Sequence, residues 1–233
     1  MLRKIQSSIR NSNVSNDSTV INPTSNVPNT QTTWNVSDLC GFIPVSGPYD
    51  LITMRDILHQ HGLDKGIVSA MFCNDLECYS PTCFLNKLHE EVFSFDKDKG
   101  DDALSDNSIH SMKRETFEEV RSQFPPTCII HGKADKTIPY AVSVDFFTAL
   151  RQMGLRNTVS LKLYDGWGHT DPILEAPFAG NHSFHRDVYN LVQLWTSVST
   201  TGKNIKPFDE THPACRQICP SRLVELGRFF NPF

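Results

Sequence analysis

The chain has 233 residues, 39% of them hydrophobic and 21% charged, and a formal net charge of −4. That length and apolar content suit a single domain of ordinary size, while the 22 basic residues are scattered and outnumbered by 26 acids, which leaves no footprint for nucleic acid. No run approaches the ~20 apolar residues needed to cross a bilayer, and the basic start MLRKIQSSIRNSN lacks the apolar stretch of a secretory signal.

Residues 1–33 are rich in Ser, Asn and Thr, carry Pro23 and Pro28 and show no periodicity, so they read as a disordered tail. Order is expected from Trp34. CGFIPVSG, residues 40–47, is a short apolar run closed by Ser-Gly and predicts a buried strand. From Tyr49 onward, Leu51, Met54 and Leu58 share one helical face, and Gly62 supplies the stop. LDKGIVSAMF reads as a second helix, and CYSPTCF as a turn, because Ser80 precedes a proline. The run SFDKDKGDDALSDNSIHSMKRETFEE, about residues 94–119, is highly charged and poor in large apolar residues; it predicts a solvated insertion, with its acids as a wet surface rather than a metal site.

Regular structure is then expected in four successive elements. TCIIHG (127–132) predicts a strand. Pro139 suits the first position of a helix, where its missing N–H costs nothing. Along that helix Phe146, Leu150 and Met153 form a stripe widened by Val144 and Phe147, and Gly154 ends it. TVSLKLYDG (158–166) alternates Val159, Leu161 and Leu163 with polar residues, as a strand near a sheet edge does. FHRDVYNLVQLW (184–195) places Val188, Leu191, Val192 and Trp195 on one helical face. Strand, helix, strand, helix with short connections predicts an α/β fold with a parallel sheet.

Seven cysteines stand at 40, 73, 78, 83, 128, 215 and 219. Cys40 and Cys128 lie at or inside apolar runs, where a thiol packs as a small hydrophobe. Cys73, Cys78 and Cys83 are spaced by five, which matches no common zinc pattern, so reduced thiols are expected and neither metal nor cofactor is. The sequons at Asn13, Asn16, Asn35 and Asn181 carry little weight by themselves.

Ligands of open α/β sheets bind beyond the carboxyl ends of the strands. Asp135 follows CIIHG there, and His169 follows LKLYDGWG. A carboxylate that fixes an imidazole, which then acts as general base, makes two-thirds of a nucleophilic triad. Spacing alone leaves turn chemistry open as the other reading of both residues. His59 and His61 near a helix end, and His182 and His185 around a helix start, read as capping residues.

HGKADKTIP resembles the strand-end motif HG-x-x-D-x-x-(I/V)-P of α/β-hydrolases in the carboxylesterase and hormone-sensitive-lipase group. YDGWGHTDPILEAPF resembles the catalytic-histidine loop of one branch, the isoprenylcysteine carboxyl methylesterases. GFIPVSGPYDL, HGLDKGIVSAMF with CYSP, and the terminal LVELGRFFNPF are similar to further segments of that branch in the same order. The resemblance covers about residues 34–93 and 124–233. It implies a Ser-His-Asp esterase that removes the methyl ester from a prenylated C-terminal cysteine, at endomembranes, although this chain itself reads as soluble. Asp135 would be the triad acid and His169 its base, and the substrate a prenylcysteine methyl ester or similar small ester.

The third triad member is not found: the sequence contains neither G-x-S-x-G nor a His-Gly-Gly oxyanion loop. Ser46 lacks the glycine two residues before it and matches a later strand of the family, so no nucleophile is assigned. The expectation is therefore the C-terminal portion of an α/β-hydrolase fold, lacking the nucleophile-bearing half, as a partial domain at 34–233. Such a chain would be inactive alone. Two other readings stay open: a non-catalytic binding or regulatory homologue, and a small metal or redox protein built on the cysteines and histidines.

Overall fold

The computed structural model describes residues 36–93, 107–197 and 207–230; the tail at 1–33 and the first part of the charged run lie outside them. The middle of the fold is strand β1 (Thr127–Gly132), paired in parallel with β2 (Val159–Tyr164) from Thr127↔Val159 through Gly132↔Tyr164. β1 is buried along its whole length, which is why its sequence is a continuous apolar run rather than an alternation. β2 buries only Val159, exposes Ser160 and is half-covered from Leu161 to Tyr164.

The apolar run at 42–46 lies on the other side of β1 but makes only two isolated bridges, Phe42↔Thr127 and Val45↔Ile130. The expected buried strand is thus corrected to an irregular, mostly half-buried edge. Phe42 both donates to Pro126 O (2.8 Å) and accepts from Cys128 N–H (3.0 Å), and Ser46 N–H donates to Ile130 O (2.9 Å). Between them Pro44 accepts from Ile130 N–H (2.9 Å) but has no N–H to return, so the ladder loses a rung. Cys40, expected to pack at this run, is exposed, whereas Cys128 is buried and burial pushes its thiol upward.

Helices α1 (Leu51–Gln60), α2 (Lys65–Met71) and α3 (Leu76–Tyr79) follow the edge segment. Asp50 caps α1, its Oδ1 accepting from Ile52 N–H at 2.9 Å, and Gly62 turns the chain away with φ +95°. The expected turn at CYSPTCF is not formed: Ser80 is the C-cap of α3, and Pro81 directly opens a 13-residue helix, α4 (Pro81–Phe93). Its fixed φ suits the first helical position, so a signal read as a breaker is a start.

The charged run requires a second correction. Its latter part is not a solvated insertion but helix α5 (Asn107–Gln123), with Phe117, Val120 and, just beyond, Phe124 buried in the core. These residues recur at i, i+3 and i+7, enough for one buried stripe on an otherwise charged helix.

Helix α6 (Tyr140–Gln152) connects β1 to β2 and packs against both, the βαβ arrangement that parallel neighbours require. Pro139 stands one residue before the helix, at its N-cap. Val142, Phe146, Ala149 and Leu150 face inward, and the stacked rings of Tyr49 and Phe146, 4.4 Å apart, tie the edge segment to this helix. Leu150 is fully buried in the cluster that also holds Leu85, Ile129 and Met153. Truncating it to alanine is expected to cost about 3 kcal/mol, the usual toll for a methylene-lined cavity. Urea denaturation should show this as a lowered midpoint at unchanged slope.

Past β2 come α7 (Glu175–Phe178), α8 (Ser183–Ser197) and α9 (Ser221–Phe230). α8 forms where expected, but none of its residues is buried; the Trp195 ring lies so close over Gly41 that a Cβ there would stand 2.0 Å from it. No helix among the described residues is long and apolar enough to cross a membrane.

Candidate active site

At the end of β1 the chain turns through Lys133 and Ala134 to Asp135, whose side chain is fully buried. Its two oxygens have separate partners. Oδ1 accepts the backbone N–H groups of Thr137 and Ile138, both at 2.9 Å, which folds the loop back on itself as aspartate does in turns. Oδ2 faces two imidazoles: Nδ1 of His169 at 2.8 Å and Nε2 of His131 at 3.1 Å.

His169 reaches this position from the loop after β2. Trp167 is buried and stacks on Tyr164 at 4.2 Å. Its carbonyl accepts Ala134 N–H at 2.9 Å, which joins the two strand-end loops. Gly168 N–H donates to Oδ2 of Asp171 at 2.6 Å. The His169 side chain is 31% exposed, so the buried carboxylate holds one side of the ring while the other remains within reach of solvent.

His131 was missed as a site residue, although it opens the HG of the strand-end motif. It is fully buried. Its Nε2 lies between two acceptors, Ile138 O at 2.8 Å and Asp135 Oδ2, and so must carry the proton. Nδ1 then accepts from the Ser143 hydroxyl at 2.6 Å. The burial and the partners are long-range facts of α6 and its entry loop, and the only sequence signal was the motif itself.

Burial alone would push the Asp135 carboxyl upward. The hydrogen bonds from His131, Ile138 N–H and His169 together outweigh that and hold it below the ordinary carboxylate range. A depressed folded-state pKa stabilises the fold above the unfolded aspartate value, near ~3.9, and that contribution fades as pH falls toward the folded value. Wild-type stability is therefore expected to drop more steeply below about pH 4 than that of Asp135→Asn. Equal acid slopes in paired urea titrations would disprove it.

The structure brings Asp135 and His169 together, and among the described residues no hydrogen bond joins the other candidates to them. Ser46 sits in a left-handed turn with φ 45°, its hydroxyl buried without a hydrogen-bond partner. Among the described residues no hydroxyl or thiol hydrogen-bonds His169. His182 bonds Cys215 O at 2.8 Å and lies beside His185, and the described residues contain no cluster of three His, Cys, Asp or Glu able to hold a metal. A carboxylate fixing Nδ1 of a half-exposed imidazole sets the tautomer in which Nε2 is the free base.

The chain is similar to curated isoprenylcysteine alpha-carbonyl methylesterases. It is 27% identical over 202 residues to a probable one from Oryza sativa subsp. japonica, 26% over 201 to one from Arabidopsis thaliana, and 23% over 202 to a probable one from the same plant. These matches take in 86% of this chain but only 40%, 39% and 35% of the relatives, so the chain spans well under half their length. No family model matches the chain, and no solved structure matches it.

Proposed function

We propose that the chain supplies the acid–base pair of a carboxylic ester hydrolase acting on the methyl ester of a prenylated C-terminal cysteine, with Asp135 orienting His169 as general base. The observation that carries this reading is the 2.8 Å contact of His169 Nδ1 with the buried Asp135 carboxylate, at the carboxyl ends of neighbouring parallel strands. The similarity to isoprenylcysteine alpha-carbonyl methylesterases supports the substrate class.

In the proposed cycle a serine hydroxyl gives its proton to His169 Nε2 as its oxygen attacks the ester carbonyl. The imidazolium, stabilised by Asp135, returns that proton to the departing methoxide, which leaves as methanol. Water then repeats the sequence on the acyl-serine, releasing the free carboxylate and restoring the hydroxyl. In this proposal the serine and the oxyanion donors come from polypeptide outside the 233 residues, which contain no G-x-S-x-G. Each oxyanion donor contributes about 3 kcal/mol to such a transition state, so the pair by itself is expected to turn over no ester. Residues 34–233 would then form part of an α/β-hydrolase domain.

A non-catalytic binding homologue is the second reading, favoured by the lack of any described hydroxyl or thiol on His169. Sequencing the full transcript across residues 1–40 separates the two. An in-frame upstream segment with G-x-S-x-G, whose product hydrolyses farnesylcysteine methyl ester, supports the esterase. A transcript beginning at Met1, with no hydrolysis by the chain, sinks it in favour of binding.

A further inference from the structure

α9 is held to the rest of the protein by little apolar burial: Val224 is buried, while Leu223 and Leu226 are 56% and 52% exposed. Its firm attachment is electrostatic. Both Nε (2.8 Å) and Nη2 of Arg228 converge on Oδ1 of Asp171. Asp171 is only 2% exposed, and its other oxygen, Oδ2, takes the N–H of Gly168 at 2.6 Å. The carboxylate two residues after His169 thereby grips the backbone one residue before it, closing a short ring around the histidine. Its own carbonyl accepts Ala176 N–H at 3.1 Å, which anchors the ring to α7.

From this geometry we infer that Arg228 is a positioning residue for His169, acting through Asp171 from 57 residues farther along the chain. The inference rests on the Asp135–His169 reading. A carboxylate this deeply buried needs a hydrogen-bond partner at each oxygen. Two guanidinium nitrogens on one oxygen satisfy that oxygen and leave Oδ2 to Gly168, whereas a lysine offers a single point charge with no fixed plane. Without the guanidinium Oδ1 is left buried with neither of its Arg228 partners, the carboxylate swings to find others, its hold on Gly168 weakens, and the loop no longer fixes where the imidazole stands against Asp135.

The test uses the full chain, isotopically labelled, as wild type, Arg228→Gln and Arg228→Lys. Amide exchange is followed at Gly168, Ile130 and Val224, together with the His169 Nδ1–H proton resonance. Arg228→Gln is expected to speed Gly168 exchange about tenfold, as loss of a charge-assisted hydrogen bond implies. It should also erase the Nδ1–H signal while Ile130 is unchanged; Arg228→Lys recovers part of both. If Val224 exchange alone rises and the Gly168 and His169 signals persist, Arg228 merely docks α9 and the inference is overturned. Should Arg228→Gln fail to fold, Arg228→Lys is judged alone, and wild-type behaviour at Gly168 and His169 overturns the inference. A wild-type protein with protected Gly168 but no Nδ1–H signal rejects the Asp135–His169 pair itself, and the inference falls with it.

Discussion

Gly132→Ala is expected to lower stability by about 3 kcal/mol, at the upper end of the usual overpacking cost, and to separate His169 from Asp135. A Cβ at Gly132 would stand 2.2 Å from the Trp167 carbonyl oxygen, 2.7 Å from its carbon and 3.0 Å from the carbonyl of Gly168. These are backbone atoms, and none can rotate away as a side-chain tip can. The Trp167 carbonyl is also the acceptor of Ala134 N–H, and its side chain is pinned by burial and by the Tyr164 ring. The loop must therefore move as a unit, and that unit carries His169. Urea denaturation measures the first effect and the His169 Nδ1–H resonance the second. A loss under about 0.5 kcal/mol, the ordinary surface range, would mean that the two strand-end loops do not meet as described.

On the proposed function, Asp135→Asn is expected to act on the chemistry. In a nucleophile-bearing form of the protein that hydrolyses the ester, kcat is expected to fall by about 10³–10⁴ with KM little changed, the loss seen when a triad histidine is held in the wrong tautomer. The amide oxygen can take the place of Oδ1 and keep the Thr137 and Ile138 N–H groups. Its NH₂ then occupies the place of Oδ2, facing the N–H of His131 and Nδ1 of His169. Donor meets donor, and the imidazole that adapts is the half-exposed one. His169 turns its lone pair toward the amide and carries its proton on Nε2, where it cannot accept another. A drop of less than tenfold would remove His169 as the base.

Much of this arrangement is legible in the sequence because its causes are local. The run CIIHG declares a strand, Pro139 and Gly154 bracket a helix, and alternation marks β2. The placement of Asp135 and His169 then follows from where ligands collect on parallel sheets. What escapes reading depends on partners far along the chain. The burial of α5 rests on Phe117, Val120 and Phe124, three large side chains spaced within a charged run, and only the core they enter gives them meaning. Pro44 looks like part of an apolar strand until its missing N–H is set against Cys128. His131 is one letter of a motif until the Ile138 carbonyl and the Asp135 carboxylate fix which nitrogen holds the proton. Asp171 reads as part of a loop until Arg228 arrives.

The missing rung at Pro44 bears on how the fold breathes. Alternate amides of β1 answer to different neighbours. Cys128 and Ile130 donate to Phe42 and Pro44 on one side, whereas Thr127, and Lys133 just beyond the strand, donate to Thr158 and Tyr164 on the other. The weaker flank can therefore peel away without disturbing the stronger, since local openings follow the hydrogen bonds that break together. Asp135 and His169 both hang from the β1–β2 side. The protein thus keeps its looser margin where motion costs the site nothing.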